Sequence, residues 1–231
     1  MPRAPIPLIR DGGFREAEKL YVLSYEGKKS EKKYFEDFRH SEYFNNSGLI
    51  ETVSLERRND QGSDPKTVKE LLEEAKAEFN FQDNDEFWMI IDRDHWEVEH
   101  GHNFDDIAKA CAVQGNFYMA LSNPCFELWL VLHLKDVSDY REEEKVAIML
   151  NEKTGANKHH IDHVLADAIG NGRGYNKRPN PAIFLPNVYA AIARAKALDI
   201  GETYPTQLGS HVYKLVEKLV KEQKVERYES E

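Results

Sequence analysis

Cysteine is scarce in this chain, long apolar runs are absent, and positive charge is in the minority. The 231 residues hold two cysteines, Cys111 and Cys125, too few for a disulfide framework or a cysteine-built zinc site. Both read as buried thiols in a reducing compartment. No apolar stretch approaches the roughly 18 residues of a membrane span, and the apolar part of the leading MPRAPIPLIRDGG is too short for a secretory signal. A cytoplasmic location is therefore expected. With 31 Lys and Arg against 41 Asp and Glu the formal charge is −10, which argues against a general basic coat for nucleic acid and leaves room only for a local basic face. What is present is enough to pack: 41% hydrophobic and 11% aromatic residues beside 31% charged ones describe a globular chain long enough to bury a core without staples.

Hydrophobic patterning gives an alternation of strands and helices. Tyr21-Val22-Leu23-Ser24-Tyr25 is a short run of strand formers that stops at Glu26-Gly27. In the following KKSEKKYFEDFRH, Tyr34, Phe35 and Phe38 fall on one stripe with the helical period. Ile50 to Leu55 reads as the second strand, and Ser63-Asp64-Pro65 offers a cap and an N1 proline to a helix ending near Phe79. Phe87 to Ile91 is a continuous apolar run of the kind buried on both faces of a parallel sheet, ending in Asp92-Arg93-Asp94. A helix over 104–114 and a fourth strand from Phe117 to Leu121 follow. The expected fold is α/β, a parallel sheet with helices on both faces. Beyond it the texture is helical, at Pro124 to Leu134 and near 141–151, 158–169, 187–198 and 210–222, with a Gly- and Pro-rich loop over 170–181. The chain thus divides into a core over 1–135 and a helical extension over 136–231 packed on it.

The acids are placed to do chemistry. In a parallel sheet the ligand site lies beyond the carboxyl ends of the strands. Glu26 closes strand one and Asp92 strand three, so segments remote in sequence deliver carboxylates to one edge. Asp92 and Asp94, two apart, face one side with Arg93 on the other. Together with Glu26 they make an oxygen-rich pocket suited to Mg²⁺ or Mn²⁺, whose usual work is to orient and neutralise a phosphate. The bland alternative is a solvated turn in an acidic chain. Ser122 or Asn123 offers a cap to the next helix, Pro124 fits its first turn, and Glu127 in that turn points toward the same edge as a metal or substrate ligand or merely favours the helix dipole.

YVLSYEGKKSEKKYFEDF, WMIIDRDHW and LSNPCFELWLVLHL resemble, in order and spacing, three signature blocks of the RloB family, whose core resembles a Toprim domain. The resemblance is strongest over about 20–135 and continues weakly through Tyr175-Asn176-Lys177 and the terminal helix. It implies that Glu26 does acid–base work, that Asp92 and Asp94 bind Mg²⁺, and that the protein serves phage resistance by abortive infection, beside an ATPase of the ABC or OLD type.

A second pattern is basic. From Asp167 to Asp199 no acid intervenes, and Arg173, Lys177, Arg178, Arg194 and Lys196 fall in that window. A loop with Tyr175 among Arg173, Lys177 and Arg178 is suited to stack on bases and pair with phosphates; a solvated loop offsetting the acidic remainder is the alternative. Lys28 and Lys29 start a helix beside the presumed site, where they touch phosphate or line a solvated face with Lys32 and Lys33. GKKS at 27–30 is not a Walker motif, because the position five before Gly27 is Val22. His159 and His163 lack the glutamate of H-E-x-x-H, and His133 reads as a satisfied, partly buried histidine. The leading expectation is a metal-dependent nuclease with catalytic Glu26, Asp92 and Asp94, metal ligands from these and Glu127, and nucleic-acid contacts from Lys28, Lys29, Arg173, Tyr175, Lys177 and Arg178. The other is a non-catalytic effector or sensor that binds the ATPase and uses the acids for structural metal. DNA or RNA as substrate, and monomer or homo-oligomer, stay open.

Overall fold

The computed structural model describes residues 17–27, 29–55, 64–93, 103–156, 158–170 and 175–222. Strands β1 (Lys19–Tyr25), β2 (Ile50–Ser54), β3 (Glu86–Asp92) and β4 (Phe117–Asn123) alternate with helices α1 (Ser30–Arg39), α2 (Pro65–Glu78) and α3 (Phe104–Gln114). Asp64 caps α2, its carboxylate accepting from the Thr67 amide at 3.1 Å, with Pro65 at the first helical position, as the sequence predicts. The sheet order is β2-β1-β3-β4, all parallel, with a further two-residue strand at Gly209–Ser210 beside β4. Period-2 alternation divides their side chains between two core layers. Tyr21, Leu23, Tyr25, Trp88 and Ile90 join the layer that holds Tyr34, Phe35 and Phe38 of α1. Val22, Phe87, Met89 and Ile91 join the layer of α2 and α3, with Val68, Leu72 and Phe104. Helices therefore cover both faces.

The C-terminal half does more than add helices. Helix α4 (Phe126–Leu134) is buried along Phe126 to His133, as expected of a helix apolar all round. It is enclosed by α6 (His160–Ile169) and α8 (Val188–Leu198), with α5 (Glu142–Leu150), the one-turn α7 (Pro181–Phe184) and α9 (Val212–Leu219) completing that side. Lys153–Gly155 and Lys158–His159 pair as a small hairpin, β5 and β6. The two-residue β7 (Gly209–Ser210) pairs antiparallel with β4, placing Ser122 opposite Ser210 and Asn123 opposite Gly209. Sequence patterning gives no warning of pieces this short. Among the described residues no helix is long and apolar enough to cross a membrane.

β7 also corrects the expected start of α4. Ser122 and Asn123 cannot cap it, because both continue β4: Ser122 Oγ lies 2.8 Å from Ser210 Oγ, and Asn123 Nδ2 donates to the Pro205 carbonyl at 3.3 Å. The helix starts at Phe126, with Cys125 at its N-cap and Pro124 outside it.

Candidate active site

Chain order reverses between β1 and β3: the path runs from β1 outward to β2, then returns past β1 to β3 and β4. In open α/β sheets such a switch point opens a crevice beyond the strand ends, and Glu26 and Asp92 flank it. Glu26 is buried. Its amide extends the β1–β3 ladder, donating to the Ile90 carbonyl at 2.9 Å, while its Oε2 accepts from the Asp92 amide at 2.8 Å. Asp92 Oδ1 in turn accepts from the Phe126 amide at 2.8 Å, doing from β3 what no side chain of Cys125 does, since an amide at a helix N-terminus attracts negative charge. Arg93 turns away, its amide on the Ser122 carbonyl at 2.8 Å and its Nη1 on the Pro205 carbonyl at 3.3 Å. The structure thus brings Glu26 and Asp92 together; Asp94 lies outside the described residues.

Behind this edge is a buried polar network that sequence reasoning does not find. Glu31 is buried in the first turn of α1, and its Oε1 accepts from the Gly27 amide at 3.0 Å. A Cβ added at Gly27 would fall 2.0 Å from that carboxylate, so a larger residue there would push the Glu31 side chain off the Gly27 amide. Burial, and then the charge of Glu127, push Glu31 up to about 7. Glu127, also buried, accepts from Ser30 Oγ at 3.0 Å and pairs with Lys177 Nζ at 3.1 Å. Lys177 Nζ also meets Asp162, in the first turn of α6, at 2.8 Å. Burial alone would lower the Lys177 ammonium, but Glu127 and Asp162 hold it above its ordinary value. Tyr175 is buried and donates to Ser30 Oγ at 3.1 Å. The one available signal was that Glu31, Glu127 and Asp162 all occupy first helical turns, where three like charges in one place call for a cation.

The expected site residues therefore divide. Glu127 faces Ser30 and Lys177, and Lys177 and Tyr175 are internal partners of the fold. Arg178 and Lys29 are exposed, whereas Lys28 and Arg173, like Asp94, lie outside the described residues. His133 is satisfied as expected but more deeply buried than the partial burial expected of it: its Nδ1–H donates to the Trp129 carbonyl at 2.9 Å, Nε2 accepts from Tyr34 Oη at 3.0 Å, and burial lowers it to about 3. Among the described residues no three His, Cys, Asp or Glu side chains form a metal-holding group. Glu26 and Asp92, carboxylates at neighbouring strand ends that each accept from a backbone amide, are nevertheless hard oxygen donors of the kind that fits Mg²⁺ or Mn²⁺.

A protein-family model described as RloB-like protein matches residues 21–219. No curated protein and no solved structure matches the chain.

Proposed function

The chain belongs to the RloB-like family, and from that premise we propose that it is a divalent-metal-dependent nuclease of bacterial antiviral defence, cleaving a phosphodiester of RNA or DNA in the cytoplasm on a Toprim-like core. The observation that carries this reading is the 2.8 Å bond from the Asp92 amide to the Glu26 carboxylate, which fixes acids from two strand ends at the switch point. Asp92 and Asp94 would hold Mg²⁺ or Mn²⁺, with Glu26 as a further ligand or as the general base that takes a proton from the attacking water. The bound ion supplies neutralisation of phosphate charge and a more acidic water. With Tyr175 and Lys177 engaged inside the fold, nucleic-acid contact falls to Lys28, Lys29, Arg173 and Arg178, and an ABC- or OLD-type ATPase would be the working partner. The same engagement, with the net charge of −10, favours as second reading a non-catalytic effector that binds the ATPase and uses the acids for structural metal, because unaided binding to polyanions is weak.

Incubating the purified chain, with and without that ATPase, with tRNA and plasmid DNA in Mg²⁺ or Mn²⁺ separates the two. Cleavage abolished by Glu26→Ala and by Asp92→Ala, both still folded, is the expected result. Cleavage at the wild-type rate by either folded variant rules out the assigned chemistry, and no cleavage under any condition leaves the effector reading.

A further inference from the structure

Two peptide units fix where the candidate carboxylates stand. The Gly27 amide belongs to the peptide that follows Glu26, and it donates to Glu31 Oε1 at 3.0 Å. The Phe126 amide, which holds Asp92 Oδ1 at 2.8 Å, belongs to the peptide between Cys125 and Phe126. The residues on either side of that amide converge on one carboxylate, since Cys125 Sγ donates to Glu127 Oε2 at 3.3 Å and Glu127 directly follows Phe126. Each half of the carboxylate edge is thus tied, through one neighbouring peptide, to a buried acid of the network behind it. Glu31 and Glu127 are close enough for the charge of Glu127 to act on Glu31. Without a cation, two buried like charges would be relieved by protonation or by separation of α1 from α4.

One residue supplies that cation. Lys177 Nζ stands 3.1 Å from Glu127 and 2.8 Å from Asp162, and among the described residues no other Lys or Arg is paired with either acid. Its backbone is engaged as well: the Lys177 carbonyl lies 3.4 Å from Ser30 Oγ, the hydroxyl to which Tyr175 donates at 3.1 Å. Lys177 also has φ at +59°, a left-handed conformation that a residue with a side chain keeps only where its surroundings over-determine it. A lysine serving as solvated charge has no need of such a backbone. Groups behind a metal ligand orient it, and their loss typically costs about ten- to a hundred-fold in metal affinity. Resting on the reading of Glu26 and Asp92 as metal ligands, we propose that Lys177 is a positioning residue: by drawing Glu127 and Asp162 onto one ammonium it fixes the start of α4, and with it the Phe126 amide that aims Asp92 at the ion.

The sign of the effect separates position from charge. Removing an ammonium leaves the edge more negative, which through space favours a divalent cation, whereas a misplaced Asp92 weakens its binding. Mn²⁺ titration of the full chain, with free Mn²⁺ read by electron paramagnetic resonance at a temperature where every variant is folded, should give Lys177→Met a dissociation constant at least ten-fold above that of wild type. Lys177→Arg, which keeps the charge but not the reach, should fall between them. Hydrogen exchange in chelator reads the same coupling without metal. The Asp92 and Phe126 amides should lose at least ten-fold more protection in Lys177→Met than the Met89 amide in the middle of β3, which follows global stability. Should Lys177→Met fail to fold, Lys177→Gln carries the same expectations. Mn²⁺ affinity equal to wild type or tighter, or protection lost equally at all three amides, overturns the proposal and leaves the metal reading standing. A wild type that binds no Mn²⁺ removes the metal reading and the proposal with it.

Discussion

At the scale of single residues, Glu31 is a group whose surroundings bring its titration close to neutral pH. It is buried against Glu127, and its carboxyl titrates at about 7 rather than near the 4.3 of a free glutamate. Its folded-state pKa is raised, so between those two values the unfolded chain has lost the proton that the folded chain keeps. The stability contributed by protonated Glu31 is thus complete below about pH 4 and is lost as pH rises through about 7, a change of roughly 4 kcal/mol at 1.36 kcal/mol per unit. Glu31→Gln keeps an oxygen for the Gly27 amide but does not titrate. Urea denaturation of the two proteins from pH 4.5 to 7.5 should show the wild type losing stability relative to the variant across that window. Parallel curves would mean that Glu31 is ionised throughout and that Lys177 neutralises the cluster by itself.

At the scale of elements, two helix N-termini meet on one ammonium, α4 through Glu127 and α6 through Asp162, and α1 joins them through Ser30, whose hydroxyl donates to Glu127. Breaking a fully buried pair by removing one partner costs about 3–5 kcal/mol. Lys177 keeps 38% of its side-chain exposure, so solvent screening reduces the expected loss for Lys177→Met to about 2–3 kcal/mol. Lys177→Arg should recover part of it. Chemical denaturation of the three proteins measures this, and a Met variant as stable as wild type would show that the acids protonate or hydrate without the lysine. This element also marks where reading the sequence stops. Strands β1 to β4 and helices α1 to α3 were legible because each carries its own period, and Glu26 and Asp92 were legible because they end strands. The network was not, because Tyr175 and Lys177 sit in a loop without period, and a basic loop looks solvated until the carboxylates it covers are located. The start of α4 was misplaced for a related reason: Ser122 and Asn123 have good capping chemistry, and only the tertiary pairing with β7 assigns them elsewhere.

At the scale of the whole molecule, the net charge of −10 and the acids gathered at the sheet edge disfavour the compact state unless cations compensate. If Glu26 and Asp92 bind Mg²⁺ only when the chain is folded, Mg²⁺ stabilises it by RT ln(1 + [L]/Kd), about 1.4 to 2.7 kcal/mol at ten to a hundred times Kd. For a chain of this size that raises the melting midpoint by roughly 3 to 10 °C. The geometry separates this effect from simple structural damage, because Asp92 Oδ1 also accepts from the Phe126 amide at the start of α4. Asp92→Asn keeps that acceptor and removes one charge, so in chelator it should melt at least as high as wild type and gain far less from Mg²⁺. Asp92→Ala loses the acceptor as well, and in chelator it should fall by about 1 kcal/mol, the usual loss of a helix cap. Melting curves of the three proteins in chelator and in Mg²⁺ give the comparison. Equal Mg²⁺ shifts in wild type and Asp92→Asn would remove Asp92 from the metal site, and an Asn variant as damaged in chelator as the Ala variant would mean that the carboxylate charge itself, through the dipole of α4, serves the fold.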